Sequence, residues 1–157
     1  MSFPAPFERH AEAIQPGWID YNGHMNVAYY VLVFDHGTDA LCDALDLGAG
    51  YVARTDRSLF IAEAHITYER EVRLGDTVRI VSRVLGADHK RIHLFHEMFH
   101  AEGGWRAAST ELMALHVDLT LRRTAPFDDA QRDLLAAVVA SHRALPLPAG
   151  IGRRINM

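Results

Sequence analysis

The chain has 157 residues, of which 49% are hydrophobic and 23% charged, and this composition is typical of one globular domain with its own core. Its net charge of −4 and the lack of any run of Lys or Arg exclude the clustered basic surface of a nucleic-acid-binding protein. No apolar run approaches the ~20 residues that span a bilayer, and the start lacks a signal-peptide pattern, so we expect a soluble, cytoplasmic protein without a membrane partner.

The first part of the chain predicts a strand followed by a long helix. Residues 7–14, bounded by two prolines, are expected to form the strand. From Asn26 onward, apolar residues recur at three- and four-residue steps, as on one face of a helix; they are Val27, Tyr30, Val31, Phe34, Leu41 and Leu45. Asn26 suits the N-cap and Gly48 the position just past the end, which predicts about 20 helical residues. The lone Cys42 falls on this helix, where it is expected to be a small buried hydrophobe.

After a connection over residues 48–57, the apolar period falls to two and predicts four strands, at about 59–68, 77–85, 90–101 and 105–118. Glycine-containing turns separate them, which favours an antiparallel meander. Asp128 followed by Gln131 resembles a capping box and predicts a C-terminal helix over about 128–145. The order of elements indicates an α+β domain with its core at about 6–120.

The segment 18–26, Trp-Ile-Asp-Tyr-Asn-Gly-His-Met-Asn, places a carboxylate and a glycine just before the long helix. A helix N-terminus offers unpaired backbone N–H groups and a partial positive charge, and Gly23 lacks a Cβ that would block close approach. Asp20 is therefore a candidate base or nucleophile for a carbonyl polarised by these donors, while His24 and Asn26 could add hydrogen bonds or hold the loop. The alternative is that the polar residues only cap the helix.

Asp20, Gly23, His24 and Asn26 resemble the Asp-x-x-Gly-His-x-Asn pattern of the 4-hydroxybenzoyl-CoA thioesterase-like family. The resemblance implies one hotdog domain over residues 1–157, in which an antiparallel sheet wraps around one long central helix. It also implies an acyl-CoA thioesterase with Asp20 as the catalytic carboxylate. No cofactor is implied, because coenzyme A is part of the substrate. The family pattern further implies a homodimer or homotetramer with its active site between subunits.

Further segments are similar to betainyl-CoA thioesterases, which occur alone or fused to carnitine dehydrogenases; these segments are residues 18–25, 38–41, 63–66, 84–93, 115–118 and 152–155. This resemblance implies hydrolysis of betainyl-CoA to glycine betaine and CoA in carnitine degradation. Two alternatives stay open: a thioesterase for another short or aromatic acyl-CoA, and a hotdog protein that binds acyl-CoA without cleaving it.

A quaternary ammonium group is recognised by aromatic faces or a carboxylate, and the phosphates of coenzyme A by basic side chains. The candidates for substrate binding by position are Trp18, Tyr21, Tyr30, Glu63, Lys90 and Arg91. For the aromatic residues the alternative is packing in the core. For Glu63 it is a paired or edge-exposed carboxylate, and for Lys90 and Arg91 a solvated hairpin tip.

Residues 96–100, His-Glu-Met-Phe-His, match the His-Glu-x-x-His pattern of zinc peptidases. That chemistry needs a helix to bring both imidazoles to one metal. Here the segment lies within a strand-length interval, and four residues of a strand span ~13 Å, too far for two zinc–nitrogen bonds of ~2 Å. We therefore predict a strand and no metal, and we expect the remaining histidines to lie on sheet faces.

Overall fold

The computed structural model describes residues 2–157, in which a curled antiparallel sheet packs against one long helix. The strands are β1 (Phe7–Ala13), β2 (Arg57–Tyr68), β3 (Thr77–Ala87), β4 (Arg91–His100), β5 (Arg106–Asp118) and β6 (Arg123–Thr124). The helices are α1 (Val27–Ala44), α2 (Ala49–Thr55) and α3 (Asp129–Arg143), and a 3₁₀ turn covers Pro16–Trp18. The predicted α+β class is confirmed.

The strand order in the sheet is β1-β3-β4-β5-β2, with β6 paired to β5, and every pairing is antiparallel. Strands β3, β4 and β5 form the predicted meander, but the expectation that β2 begins it is wrong. β2 pairs with β5 from Arg57↔Asp118 to Tyr68↔Ala108, so the segment 69–76 has to cross the sheet before β3 begins. β1 and β2 are consequently the two edges of the five main strands.

Helix α1 begins where it was predicted, because the side-chain oxygen of Asn26 accepts a hydrogen bond from the Ala28 backbone N–H at 3.0 Å. Its buried face is directed at β1, β3 and β4. At Gly37 the helix comes so close to the sheet that a Cβ would lie 2.7 Å from Ile80 Cγ2. Cys42 is buried on this face as expected, and burial raises the pKa of its thiol to about 12.

The predicted end of α1 just before Gly48 is wrong. α1 ends at Ala44, and Gly48 is instead the N-cap of α2, which occupies most of the expected connection. A Cβ at Gly48 would lie 1.8 Å from Asp43 Oδ1, so the glycine permits a close approach between the two helices. The apolar pattern continues beyond the last helical residue, because Leu45 and Leu47 are buried in the turn that follows α1. The pattern alone therefore predicted too long a helix.

Helix α3 begins after Asp128, whose carboxylate accepts a hydrogen bond from the Gln131 backbone N–H at 2.8 Å, as predicted. It ends at Arg143, two residues earlier than expected. Its apolar residues join the same core cluster as residues of α1 and the sheet; they are Leu135, Val138 and Val139. Within residues 2–157, the structure contains no helix of the length and apolarity that crossing a membrane requires.

Candidate active site

Asp20 lies in a tight loop that connects the 3₁₀ turn to α1. Ile19 and Met25 form an isolated antiparallel bridge, the Asp20 N–H donates to the His24 carbonyl at 3.2 Å, and the Gly23 N–H donates to the Asp20 carbonyl at 3.0 Å. Gly23 has a φ of +80°, which L-residues rarely adopt, while a Cβ there would meet no atom within 4 Å. The glycine is therefore needed for the turn of the loop, and not to make room for protein atoms.

The Asp20 carboxylate is held by two donors from its own loop. Oδ1 accepts from the Asn22 backbone N–H at 2.8 Å, and Oδ2 accepts from Asn26 Nδ2 at 3.1 Å. The Asn22 N–H is the main reason that the pKa of Asp20 lies below its usual value. Burial acts in the opposite direction, and the Asn26 amide and His24 lower the pKa by smaller amounts. Asp20 is therefore ionised at neutral pH.

Capping of α1 belongs to Asn26 and not to Asp20. Asn26 Oδ1 accepts from the Ala28 N–H while its Nδ2 donates to Asp20, so one side chain ties the carboxylate to the first turn of α1. Among residues 2–157, neither oxygen of the Asp20 carboxylate accepts a hydrogen bond from a backbone N–H of α1. The Val27 N–H, the first of the helix, has no hydrogen-bond partner in this part of the chain either. The start of α1 thus offers a free donor beside an ionised carboxylate.

His24 is half-buried, and within residues 2–157 its ring forms no hydrogen bond with the Asp20 carboxylate. Its Nε2 lies 3.6 Å from Glu71 Oε2, and its ring lines a cleft of about 210 Å³ together with Tyr30 and Tyr68. Tyr30 itself is buried: its hydroxyl accepts from the Val72 N–H at 3.2 Å and its ring packs edge-on against Tyr68. For Tyr30 the structure therefore favours the core-packing interpretation.

Trp18 is the last residue of the 3₁₀ turn, and Tyr21 follows Asp20 in the loop. The Trp18 ring stacks on Tyr29, with centroids 5.5 Å apart and planes 14° apart, and is half-buried. Tyr21 is 97% exposed at the tip of the loop. Both positions are close to Asp20 in sequence and space, and Tyr21 has a free ring face.

Lys90 and Arg91 are not brought to Asp20 within one chain. They lie at the hairpin between β3 and β4, where Arg91 forms an ion pair with Asp88 at 2.7 Å. The Asp20 loop lies beyond the opposite end of β3, since the Ile14 N–H donates to the Asp76 carbonyl there. Eleven strand residues separate the two ends by roughly 30 Å.

Glu63 is exposed in the middle of β2. Its side chain lines a cavity of about 450 Å³ with residues of β4, β5 and the C-terminal segment, among them His93 and Arg154. Ala64, its neighbour in β2, lines a different cavity on the α1 side of the sheet. Glu63 therefore lies on the sheet face that points away from α1.

The cavity on the α1 side, of about 380 Å³, lies between α1 and the β2–β5 pair, and its wall is mostly apolar. It begins at Ala28, the residue that Asn26 caps, and so reaches the first turn of α1 beside Asp20. Its polar residues are Asp35, Thr38 and Thr110. Thr110 Oγ1 is buried and has no hydrogen-bond partner within the described part of the chain. Asp35 and Thr110 were not predicted from the sequence, although Asp35 directly follows an apolar helical segment.

The His-Glu-Met-Phe-His segment lies in strand β4, as predicted. His96 is buried; its Nε2 contacts Thr38 Oγ1 at 3.0 Å and its Nδ1 contacts Ser82 Oγ at 2.7 Å. His100 instead stacks on Trp105 and lies 3.3 Å from Asp76. The two imidazoles thus have separate partners.

Comparisons with known proteins relate this chain to thioesterases. The family model described as "Thioesterase-like superfamily" matches residues 14–137, which include the Asp20 loop, α1 and all of β2 to β5. Betainyl-CoA thioesterase of Pseudomonas aeruginosa is 39% identical over 144 residues, which cover 92% of this chain and 91% of that protein.

Two solved structures have the same fold. A candidate thioesterase of Pseudomonas putida KT2440 is 35% identical with a TM-score of 0.83, and the match covers 99% of both chains. A Staphylococcus aureus protein solved in complex with CoA is 23% identical with a TM-score of 0.88, over 100% of this chain and 99% of that one. The hotdog fold expected from the sequence is thereby confirmed.

Proposed function

We propose that this chain, which belongs to the thioesterase-like superfamily and is a thioester hydrolase, cleaves betainyl-CoA to glycine betaine and CoA, a step of carnitine degradation. The observation that carries the proposal is the position of the ionised Asp20, which Asn26 connects to the first turn of α1. A mostly apolar cavity begins at this turn and has the carboxylate of Asp35 in its wall. The similarity to a betainyl-CoA thioesterase supports the choice of substrate.

Asp20 acts on the thioester carbonyl carbon in one of two ways. Its carboxylate attacks directly, which expels the CoA thiolate and leaves an anhydride for water to cleave, or it accepts a proton from the attacking water. In both cases the carbonyl oxygen gains negative charge. The free Val27 N–H at the start of α1 is the donor that can stabilise this charge. Gly23 and Asn26 position the carboxylate, and His24 adds a polar group beside the loop.

The cationic end of the acyl group extends into the cavity. A trimethylammonium group has no N–H to donate, so it is recognised by apolar contact and by charge. Asp35 is the carboxylate in the cavity wall, and seven helical residues place it about 10 Å beyond Ala28 along α1. Through an apolar cavity, a charge at this distance still favours a cation. Tyr21 and Trp18 would cover the mouth of the site, and Thr110 Oγ1 supplies a free polar atom inside it.

We further propose that the active protein is a homodimer or homotetramer. Exposed apolar residues lie along the β2 side of the molecule, with Val27, Val31, Leu32 and Ile61 on the α1 face and Phe60 on the opposite face of β2. The same side contains the edge of β2, whose 12 residues have no second neighbouring strand within residues 2–157. Long apolar edges of this kind are normally covered by another chain.

An antiparallel pairing of two β2 edges would also give Lys90 and Arg91 a role. Arg91 is aligned with Leu115 and so with Phe60, near the start of β2, whereas the Tyr68 hydroxyl at the other end donates to the Val27 carbonyl at 3.2 Å. In the antiparallel pair, the hairpin of one copy lies at the Asp20 end of the other. There its basic side chains could bind the phosphates of coenzyme A.

We propose that the reaction takes place in the cytoplasm and uses no cofactor, with coenzyme A entering only as part of the substrate. The single Cys42, buried and unpaired, agrees with a reducing compartment.

The decisive experiment measures thiol release from betainyl-CoA by the wild type and by Asp20→Asn. We expect the substitution to lower kcat by at least roughly 10²-fold, without a change in the melting temperature large enough to indicate unfolding. Asp39→Asn, which removes an exposed carboxylate of α1, is the matched control and should retain activity. Near-full activity of Asp20→Asn would refute the role of Asp20, and a wild type that binds CoA thioesters without releasing thiol would indicate a binding protein.

A further inference from the structure

Three side chains with metal-binding atoms converge at the β1 edge of the sheet, away from the cavity and from β2. His10 and Glu12 are alternate residues of β1 and so point to the same face, and His36 reaches them from α1. Glu12 Oε2 lies 3.0 Å from His10 Nε2 and 2.8 Å from His36 Nδ1. The three ligand atoms all lie within 4.8 Å of one another.

We propose that His10, Glu12 and His36 form a binding site for Zn²⁺ or a similar divalent transition metal. Two imidazoles and one carboxylate are a common ligand set for these ions. In a tetrahedral site, zinc–nitrogen bonds of about 2.0–2.1 Å place two nitrogens roughly 3.4 Å apart, so rotations that move each side-chain tip by roughly 1 Å close the site. The imidazole rings are already inclined at 68° with centroids 6.0 Å apart, and they present one nitrogen each to the same carboxylate.

The surroundings favour a cation. Helix α1 contains no Lys or Arg, and its exposed side carries a row of carboxylates at Asp35, Asp39 and Asp43, on either side of His36 in the sequence. Such a row lowers the electrostatic potential near the cluster. The side chains of His10 and His36 are 22% and 37% exposed, so an ion can enter from solvent and complete its coordination with water.

The role of the metal is structural. β1 leads into the Asp20 loop and α1 leads away from it, so an ion shared by Glu12 and His36 fastens together the two elements that flank this loop. His36 lies nine residues beyond Val27, about 13 Å along the helix, too far for the ion to touch a thioester at the start of α1. The prediction of no metal was made from the sequence of residues 96–100. This cluster could not be recognised in the same way, because more than 20 residues separate His10 and Glu12 from His36 and no local sequence pattern connects them.

The test uses tag-free protein stripped with chelator, with Zn²⁺ alone and Co²⁺ alone as probes. Calorimetric titration should give one Zn²⁺ per chain, and Co²⁺ should show visible absorption bands of a nitrogen- and oxygen-ligated ion. Free Zn²⁺ at about 100 times its dissociation constant should raise the melting temperature by roughly 5–10 °C. Failure of the wild type to bind either ion would mean that the cluster is a hydrogen-bonded triad only, and would overturn the proposal.

Variants identify the ligands. His10→Ala, His36→Ala and Glu12→Gln should each weaken Zn²⁺ binding at least tenfold. The Glu12→Gln protein should stay folded, because the Gln side chain keeps an oxygen that can accept hydrogen bonds from both imidazoles. His93→Ala is the matched control, because His93 forms a comparably exposed contact with Glu111 at 2.7 Å in which no second histidine takes part. Binding that His93→Ala weakens as much as His36→Ala would overturn the assignment. Thiol release by the metal-free wild type separates this proposal from the proposed activity, which does not depend on the ion.

Discussion

At the scale of single residues, the hydrogen bonds to Asp20 determine the pH at which it is ionised. The Asn22 N–H lowers the pKa of Asp20 most, and Asn26 Nδ2 adds to this effect. Asn26 also caps α1, so the two roles have to be separated by the choice of variant. Ser and Asp both serve well as N-caps, but Ser lacks the amide donor, and Asp places a second negative charge beside Asp20.

We therefore predict that Asn26→Asp raises the pKa of Asp20, because the two carboxylates repel each other and the amide donor is lost. The acid limb of kcat/KM should move to higher pH than in the wild type, while the melting temperature at neutral pH stays nearly unchanged because the cap is kept. Asn26→Ser, which loses the donor without adding charge, should shift the limb less. Identical pH profiles for the three proteins would show that the Asn26 amide does not influence the reacting carboxylate.

Asp35 determines selectivity for a cationic acyl group if the proposed location of this group is correct. The cleanest comparison uses betainyl-CoA and 3,3-dimethylbutyryl-CoA, in which carbon replaces the nitrogen and the shape is kept. We predict that Asp35→Asn raises KM for betainyl-CoA by roughly tenfold, about 1.4 kcal/mol, and changes KM for the neutral thioester little. Equal effects on both substrates would place the ammonium group away from Asp35.

At the scale of secondary-structure elements, the sequence predicts what is local. Asn26 and Asp128 were identified as N-caps because capping joins residues two or three positions apart. The pairing of β2 with β5 was not predicted, since alternation shows that a segment is a strand but not which strand lies beside it. The site follows the same rule. The Asp20 loop is contiguous, so the sequence could predict it as the candidate site. Thr110 and the cluster of His10, Glu12 and His36 could not be predicted in this way, because contacts distant in sequence bring them into place.

The contact between α1 and the sheet depends on a missing side chain at Gly37. We predict that Gly37→Ala lowers the free energy of unfolding by about 1–3 kcal/mol, because the new Cβ would lie 2.7 Å from Ile80 Cγ2 and force the helix away from β3. Gly50→Ala in α2 is the control. The nearest atom to a Cβ there is Arg54 Nη1 at 3.8 Å, an ordinary contact distance. Because alanine is the better helix former, this substitution should stabilise the protein by up to about 1 kcal/mol. Urea denaturation measures both. A Gly37→Ala protein as stable as the wild type would mean that α1 can shift at no cost.

At the scale of the whole molecule, buried neutral histidines fasten distant parts of the chain together. His96 joins β4 to α1 and β3, and burial lowers its pKa to about 4. His116 contacts the Tyr51 hydroxyl and the Ala125 carbonyl, and His142 accepts from the Val84 N–H and contacts the Pro4 carbonyl. Burial is also the main cause that lowers the pKa of these two imidazoles.

These pKa values make the folded state sensitive to acid. Between the unfolded pKa of about 6.5 and the lowered folded value, the unfolded chain binds more protons, so stability decreases as the pH falls through this window. For His96 the decrease is on the order of 3 kcal/mol by pH 4.

We predict that urea denaturation at pH 7, 6 and 5 gives steadily lower free energies of unfolding. The His96→Asn protein, although less stable at pH 7, should lose less stability as the pH falls. His89→Gln, at an exposed histidine, should keep the wild-type slope. Free energies of unfolding that stay the same from pH 7 to pH 5 would contradict this prediction.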